Sequence, residues 1–241
     1  MRNTLALAKA EVMRLARNKR YFIFTLAFPV MLYLLFGRQK AIADGVDFKV
    51  FYMISMATMG AFSGALNGNA QRIAQEKKQG WIRQLRLTPL PANAYVISKI
   101  LVSMATTVPS VLIVLLLGRC YGGVHLPAWQ WLVLAVTIWF GSTIFAGLAV
   151  ALGYRFAPDQ VQAVAMLVYF GFAALGGLWY PFGGVLGKIG EGVPTYQVTK
   201  ICTDVVEGVS VPMGLVIGLL VWMAIFIALA TAAVRLTAET V

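Results

Sequence analysis

Apolar residues in this chain gather into six long runs, at 21–37, 50–70, 97–118, 129–152, 161–181 and 212–234. Each is roughly 20 residues, the length at which a helix rising ~1.5 Å per residue crosses ~30 Å of hydrocarbon. Within lipid, a single segment satisfies all its backbone polar groups only as a helix. The pattern therefore predicts an all-α, polytopic membrane protein with six transmembrane helices, forming one transmembrane domain over residues 1–241.

Three stretches interrupt the apolar pattern. Residues 1–20 place Leu5, Ala8, Val12, Leu15 and Ala16 on one helical face, with Arg2, Lys9, Arg17 and Arg20 around it, which predicts an amphipathic helix in the membrane interface. Residues 71–96 are polar and basic, and Ile73, Trp81, Ile82 and Leu85 recur at roughly helical spacing. That predicts a surface helix from Gln71 to Leu87, stopped by Pro89 and Pro91, with Asn93 capping the next helix and Lys99 near its entrance. Residues 182–211 are too apolar for a plain loop and too broken by Gly and Pro to span, so they predict an outer or re-entrant segment with a helical piece from Gln197 to Glu207.

Charge adds an orientation. Of 20 basic residues, fourteen fall on the side of the N-terminus and of the 71–96 loop, and six on the other. Short cytoplasmic loops retain Lys and Arg, so both termini and the basic loop are expected inside the cytoplasmic membrane. With five of the nine acidic residues outside, the inner face carries about +10 and the outer about +1. The net charge of +11 thus reads as topology and attraction to anionic lipid, and no nucleic-acid partner is expected.

Candidate chemistry is sparse. Apart from Lys99 at the entrance of the third run, the apolar runs carry no ionisable side chain of the kind an ion-coupled carrier uses as a relay. The single histidine, His125, sits in an outer loop, and no Gly-x-x-x-x-Gly-Lys-Ser/Thr loop occurs, so neither a catalytic site nor an ATP site is expected on the chain. No metal site is expected, and Cys120 and Cys202 read as two small apolar residues, with an outer disulfide as the alternative. Gly60, Gly64 and Gly68 recur every four residues and predict close helix packing. Met53, Met56, Met59, Phe62, Met166 and Phe170 are candidate pathway residues, soft or aromatic side chains suited to varied apolar cargo.

Glu76-x-x-x-Gly80, followed by Leu85, Thr88-Pro89-Leu90 and Lys99, resembles the cytoplasmic loop of the permease subunits of type-2 ATP-binding-cassette exporters. The chain is similar to that family also in its N-terminal amphipathic helix, its six spans and an outer segment opened by an aromatic-proline motif, here Trp179-Tyr180-Pro181-Phe182. It departs in carrying Lys78 where the family often has a second acid, and Trp81 where it often has threonine. The resemblance implies that Glu76, Lys77, Lys78, Gly80, Trp81, Arg83, Leu85, Arg86, Thr88, Pro89 and Leu90 couple the chain to a separate cytoplasmic ATPase, which holds ATP and Mg. It implies an outer gate at Trp179, Tyr180, Pro181 and Phe182, a second permease copy or relative as partner, and export of a hydrophobic or amphipathic small molecule. A membrane sensor or scaffold that binds a peptide or lipid without moving it is the alternative.

Overall fold

Each of the six apolar runs is built mainly of helix in the computed structural model, which describes residues 19–39, 42–43, 46–81, 84, 92–180 and 184–239. Helix α1 spans Lys19–Phe36, and two-residue strands β1 (Ile42–Ala43) and β2 (Val46–Asp47) pair antiparallel before α2, Phe48–Ser63. The Asp47 side chain caps α2 by accepting from the Lys49 backbone N–H. Without leaving the helical path, the chain then makes a π-helical turn, Gly64–Gly68, and continues as α3, Asn69–Lys78. Most of the expected interfacial helix, residues 1–18, lies outside the described residues.

Helix α4 covers Ala92–Cys120, α5 Ala128–Thr143 and α6 Phe145–Arg155, the last two hinged only at Ile144. Helix α7 covers Pro158–Leu175 and α10 Met213–Glu239. Among the described residues, three segments suffice by length and composition to cross a membrane: Ile97–Cys120, Ala128–Arg155 and Met213–Leu236. Leu26–Phe36 is a shorter apolar helix.

The core is tied by aromatic rings from four helices. Phe62 of α2 lies 3.8 Å, centroid to centroid, from Phe145 of α6, and Phe172 of α7 and Phe226 of α10 close the cluster edge-on. Helix α10 presses its backbone onto α6 at Gly147, where a Cβ would sit 3.0 Å from the Phe226 carbonyl oxygen.

The segment expected to be outer or re-entrant folds as α8 (Gly184–Glu191) and α9 (Pro194–Glu207). Helix α9 starts three residues earlier than the sequence pattern predicts, because Pro194 occupies its first turn, where proline's fixed φ and missing N–H cost nothing. It is no surface element. It packs among α2, α5 and α10, with Val198 against Gly141, Gln197 against Gly218 and Thr195 against Gly176. Gln130 donates to the Val205 carbonyl at 3.0 Å and Trp222 to that of Gly192 at 2.7 Å, so side chains of α5 and α10 satisfy backbone groups at both ends of α9. Cys202 is buried within α9 while Cys120 is exposed at the end of α4, and both are free thiols, which removes the disulfide alternative.

Candidate functional site

The basic loop begins as a continuation of the second apolar run. Helix α3 packs one face along α6 and α7 and leaves Gln75, Lys77 and Lys78 exposed on the other. Its close contact with α6 depends on Gly153, where a Cβ would stand 2.7 Å from Ile73 Cβ and 2.9 Å from the Ala70 carbonyl oxygen.

At the end of α3, neighbouring residues point to different helices. Glu76 is buried and its carboxylate lies 2.8 Å from Lys99 Nζ of α4, with side-chain exposures of 10 % and 1 %. Lys99, two residues into the apolar segment Ile97–Cys120, is thus buried inside the chain at that segment's start. Taking two charges out of water costs several kcal/mol per ion, and their attraction roughly offsets that only while both are present. Lys77 turns the other way and donates to the Tyr154 carbonyl at the C-terminal end of α6, where a cation also meets the negative end of the helix dipole. Glu76 and Lys77 together fasten the inner end of α3 to both α4 and α6.

The next residues leave the bundle. Lys78 is exposed, and so is the Trp81 ring, at 41 %. Between them α3 stops. Gly80 has φ +72°, and its N–H donates to the Lys77 carbonyl at 3.1 Å while Gln79 N–H donates to that of Gln75 at 2.9 Å. The expected unbroken helix to Leu87 is thus corrected at Gly80, which terminates α3 instead of lying within a longer helix. Among the described residues beyond its chain neighbours, nothing lies within 4 Å of the position a Gly80 Cβ would take, so the glycine answers a backbone demand. Valine there should cost about 1–2 kcal/mol through the left-handed backbone alone. Asparagine, of similar size but tolerant of that conformation, should cost distinctly less. Thermal midpoints of the purified variants check the order, and equal losses would mean that side-chain size is the cause. Arg83, Leu85, Arg86, Thr88, Pro89 and Leu90 lie outside the described residues.

The structure separates the candidate pathway residues. Met53, Met56, Met59 and Phe62 are wholly buried within the chain, Met53 resting on Gly118 of α4, whereas Met166 and Phe170 are exposed on α7. Of the glycine stripe, Gly60 meets Ser110 of α4 and Pro29 of α1, as close packing predicts. Gly64 and Gly68 instead open and close the π-turn.

At the opposite end of the α2–α3 path lies a cavity of about 360 Å³. Phe28, Leu32 and Phe36 line it from one face of α1, and Phe48 and Tyr52 from the opening turns of α2. Trp179 and Tyr180, two of the expected gate residues, complete the wall with Gln39, while Pro181 and Phe182 lie outside the described residues. The i, i+4, i+8 spacing of the α1 trio was readable in the sequence, but its pairing with Trp179 joins positions far apart in the chain. Among the described residues, no three metal-ligating side chains gather.

Comparison with known proteins agrees with this architecture. A protein of Bacillus subtilis (strain 168) named "Putative transport permease YvfS" is 25% identical over 225 residues, covering 91% of this chain and 92% of that one. Residues 38–234, which run from the end of α1 through nearly all of α10, match the family described as ABC-2 family transporter protein. The chain therefore belongs to the ABC-2 transporter family of membrane proteins.

Proposed function

We propose that the chain is the permease subunit of an ATP-driven exporter, spanning the cytoplasmic membrane six times with α3 and both termini on the inner side. Two copies, or this chain and a relative, form the pathway. A separate cytoplasmic ATPase holds ATP and Mg, and the cargo is a hydrophobic or amphipathic small molecule. The observation that carries this reading is the division of labour at the end of α3. Glu76 is buried against α4 and the exposed Lys77 reaches back to the Tyr154 carbonyl of α6, while Lys78 and Trp81 face out and are available to a partner.

A push on the exposed end of α3 then cannot be absorbed locally. It moves α4 through Glu76 and α6 through Lys77, and α10 follows α6 through the Gly147 contact. Packed helices joined this way shift as bodies between discrete arrangements, which is what alternating access requires.

Lys78→Glu combined with Trp81→Ala should reduce co-purification of the ATPase and substrate-stimulated ATP hydrolysis by about tenfold or more, since a buried aromatic anchor commonly contributes ~2 kcal/mol at an interface. The thermal midpoint of the chain alone should hardly move. Unaltered assembly and ATP hydrolysis in that variant, or transport by the chain in vesicles without ATPase or ATP, would overturn the proposal.

A further inference from the structure

Helix α4 runs from Ala92 to Cys120 without leaving its helical path, yet three consecutive carbonyls at its middle lack an undivided backbone partner. The Ser103 carbonyl accepts from Thr106 Oγ1 at 3.0 Å, and that of Met104 from Thr107 Oγ1 at 3.1 Å and from Trp139 Nε1 of α5 at 2.7 Å. An oxygen with two lone pairs must divide them among these side chains and the amide four residues on. The Ala105 carbonyl has no such amide at all, because residue 109 is proline. Helices bend where a proline or an inserted side chain interrupts the ladder, and here the two act on adjacent carbonyls.

On either side of this point α4 is tied to different helices. Residues 92–108 are held to α3 by the ion pair of Lys99 with Glu76 and to α5 by Trp139. Residues 110–120 carry Gly118, on which Met53 of α2 rests, and lead to Tyr121, which donates to the Leu34 carbonyl of α1 at 3.1 Å. Between the two arms, Ser110 Oγ faces Gly60 of α2 and makes no hydrogen bond, so this contact holds nothing that bending would break. Pro29 interrupts α1 at the same level, its Cγ 3.3 Å from the position a Gly60 Cβ would take.

We propose that α4 is hinged at Pro109. Residues 92–108 swing with α3 while residues 110–120 stay fixed on α1 and α2. The Trp139 indole is a positioning residue that sets the resting angle through the Met104 carbonyl. From the hinge to Ile97 is about 18 Å of helix, so a swing of about 20°, the order of bend that proline produces, carries that end about 6 Å sideways. A straight rod could pass on a push from α3 only by tilting, which would disturb both of its ends together. The bend stands whether or not the chain is an exporter. Its use, opening one side of the membrane while the other remains closed, rests on that reading.

The test uses the full chain in nanodiscs, with Cys120→Ser to remove the exposed thiol, spin labels on introduced cysteines, and excess unlabelled chain so that only distances within one chain are read. Two pairs share a reference at Met213→Cys. Ile97→Cys reports the arm nearer α3 and Leu116→Cys the other, and all three positions are exposed. In the parent, the distance distribution of the Ile97 pair should be about twice as wide as that of the Leu116 pair. Pro109→Ala, which restores the missing amide in a strong helix former, should narrow the first to the width of the second without lowering the thermal midpoint. Trp139→Phe should shift the mean distance of the Ile97 pair and leave that of the Leu116 pair in place. Equal widths in the parent would overturn the proposal, since the bend would then be a fixed kink, and so would a Pro109→Ala distribution as wide as the parent's. An unmoved mean in Trp139→Phe would do the same, and decides the matter alone if Pro109→Ala does not fold. If the Ile97 pair behaves as expected but no ATPase assembles with the chain, the hinge stands and the exporter reading falls.

Discussion

Lys99→Met should lower the stability of the folded chain by about 3–5 kcal/mol, the usual cost of leaving one member of a buried ion pair uncompensated. Methionine nearly fills the volume of the lysine stem, so the loss comes from taking the Lys99 charge away from the buried Glu76 carboxylate and not from a void. Removing both charges, as Glu76→Gln with Lys99→Met, should recover most of that loss, because the buried cost disappears with the ions. The double variant separates structure from transmission. It should insert and survive heating much as the parent does, yet hydrolyse ATP in the assembled complex with weakened dependence on substrate, since α3 no longer grips α4. Midpoints of heat-induced loss of the monodisperse peak on size exclusion give the first reading, and ATPase assays of the complex give the second. A double variant as unstable as the single one would show that the charge pair is not what holds the two helices.

The second large effect is expected at Gly153. A valine Cβ there meets Ile73 Cβ and Cγ2 at 2.7 Å and the Ala70 carbonyl oxygen at 2.9 Å, and a helical carbonyl cannot turn aside as a long side chain can. Overpacking of this kind costs typically 1–3 kcal/mol, and here it would also part α3 from α6 and break the bond from Lys77 to the Tyr154 carbonyl. Ile73→Ala added to Gly153→Val should restore only part of the loss, because the carbonyl contact remains. Gly171→Ala is the control: nothing lies within 4 Å of its Cβ position, and alanine favours the helix over glycine by about 1 kcal/mol. If the Gly153 and Gly171 variants lost stability equally, the α3–α6 contact would not be close in solution.

Much of this architecture was legible because the bilayer imposes a simple rule on sequence. Each of the six apolar runs is built mainly of helix, and the Gly- and Pro-rich 182–211 stretch carries two helices, α8 and α9, of which α9 packs among α2, α5 and α10. The end of α3 was misread although its signal was present. Lys77 and Lys78 in a last turn followed by Gly80 form a helix stop, but the recurrence of Ile73, Trp81, Ile82 and Leu85 argued for continuation. The Glu76 to Lys99 pairing had no such signal, since residues 23 apart across two prolines share no periodicity. The same holds for the outer cavity, where α1, α2 and Trp179 meet only through tertiary packing. The π-turn was invisible for another reason: Gly-Ala-Leu-Asn-Gly satisfies an α-helix as readily as a wider turn, and only its neighbours decide between them.

That wider turn, Gly64–Gly68, gives the chain one place where its residue count can change. A π-turn accommodates one residue more than regular α-helix, and each residue of α-helix turns the chain by roughly 100°. Deleting a single residue there, with the turn relaxing to α, would leave Asn69–Lys78 in phase with its surroundings. The same deletion inside α3 ahead of Ile73 has no such slack, and would turn Ile73 away from Gly153 and Glu76 away from Lys99. In the divergence of such proteins, a one-residue length variant is therefore tolerable within this turn and disruptive in the regular helix that follows it.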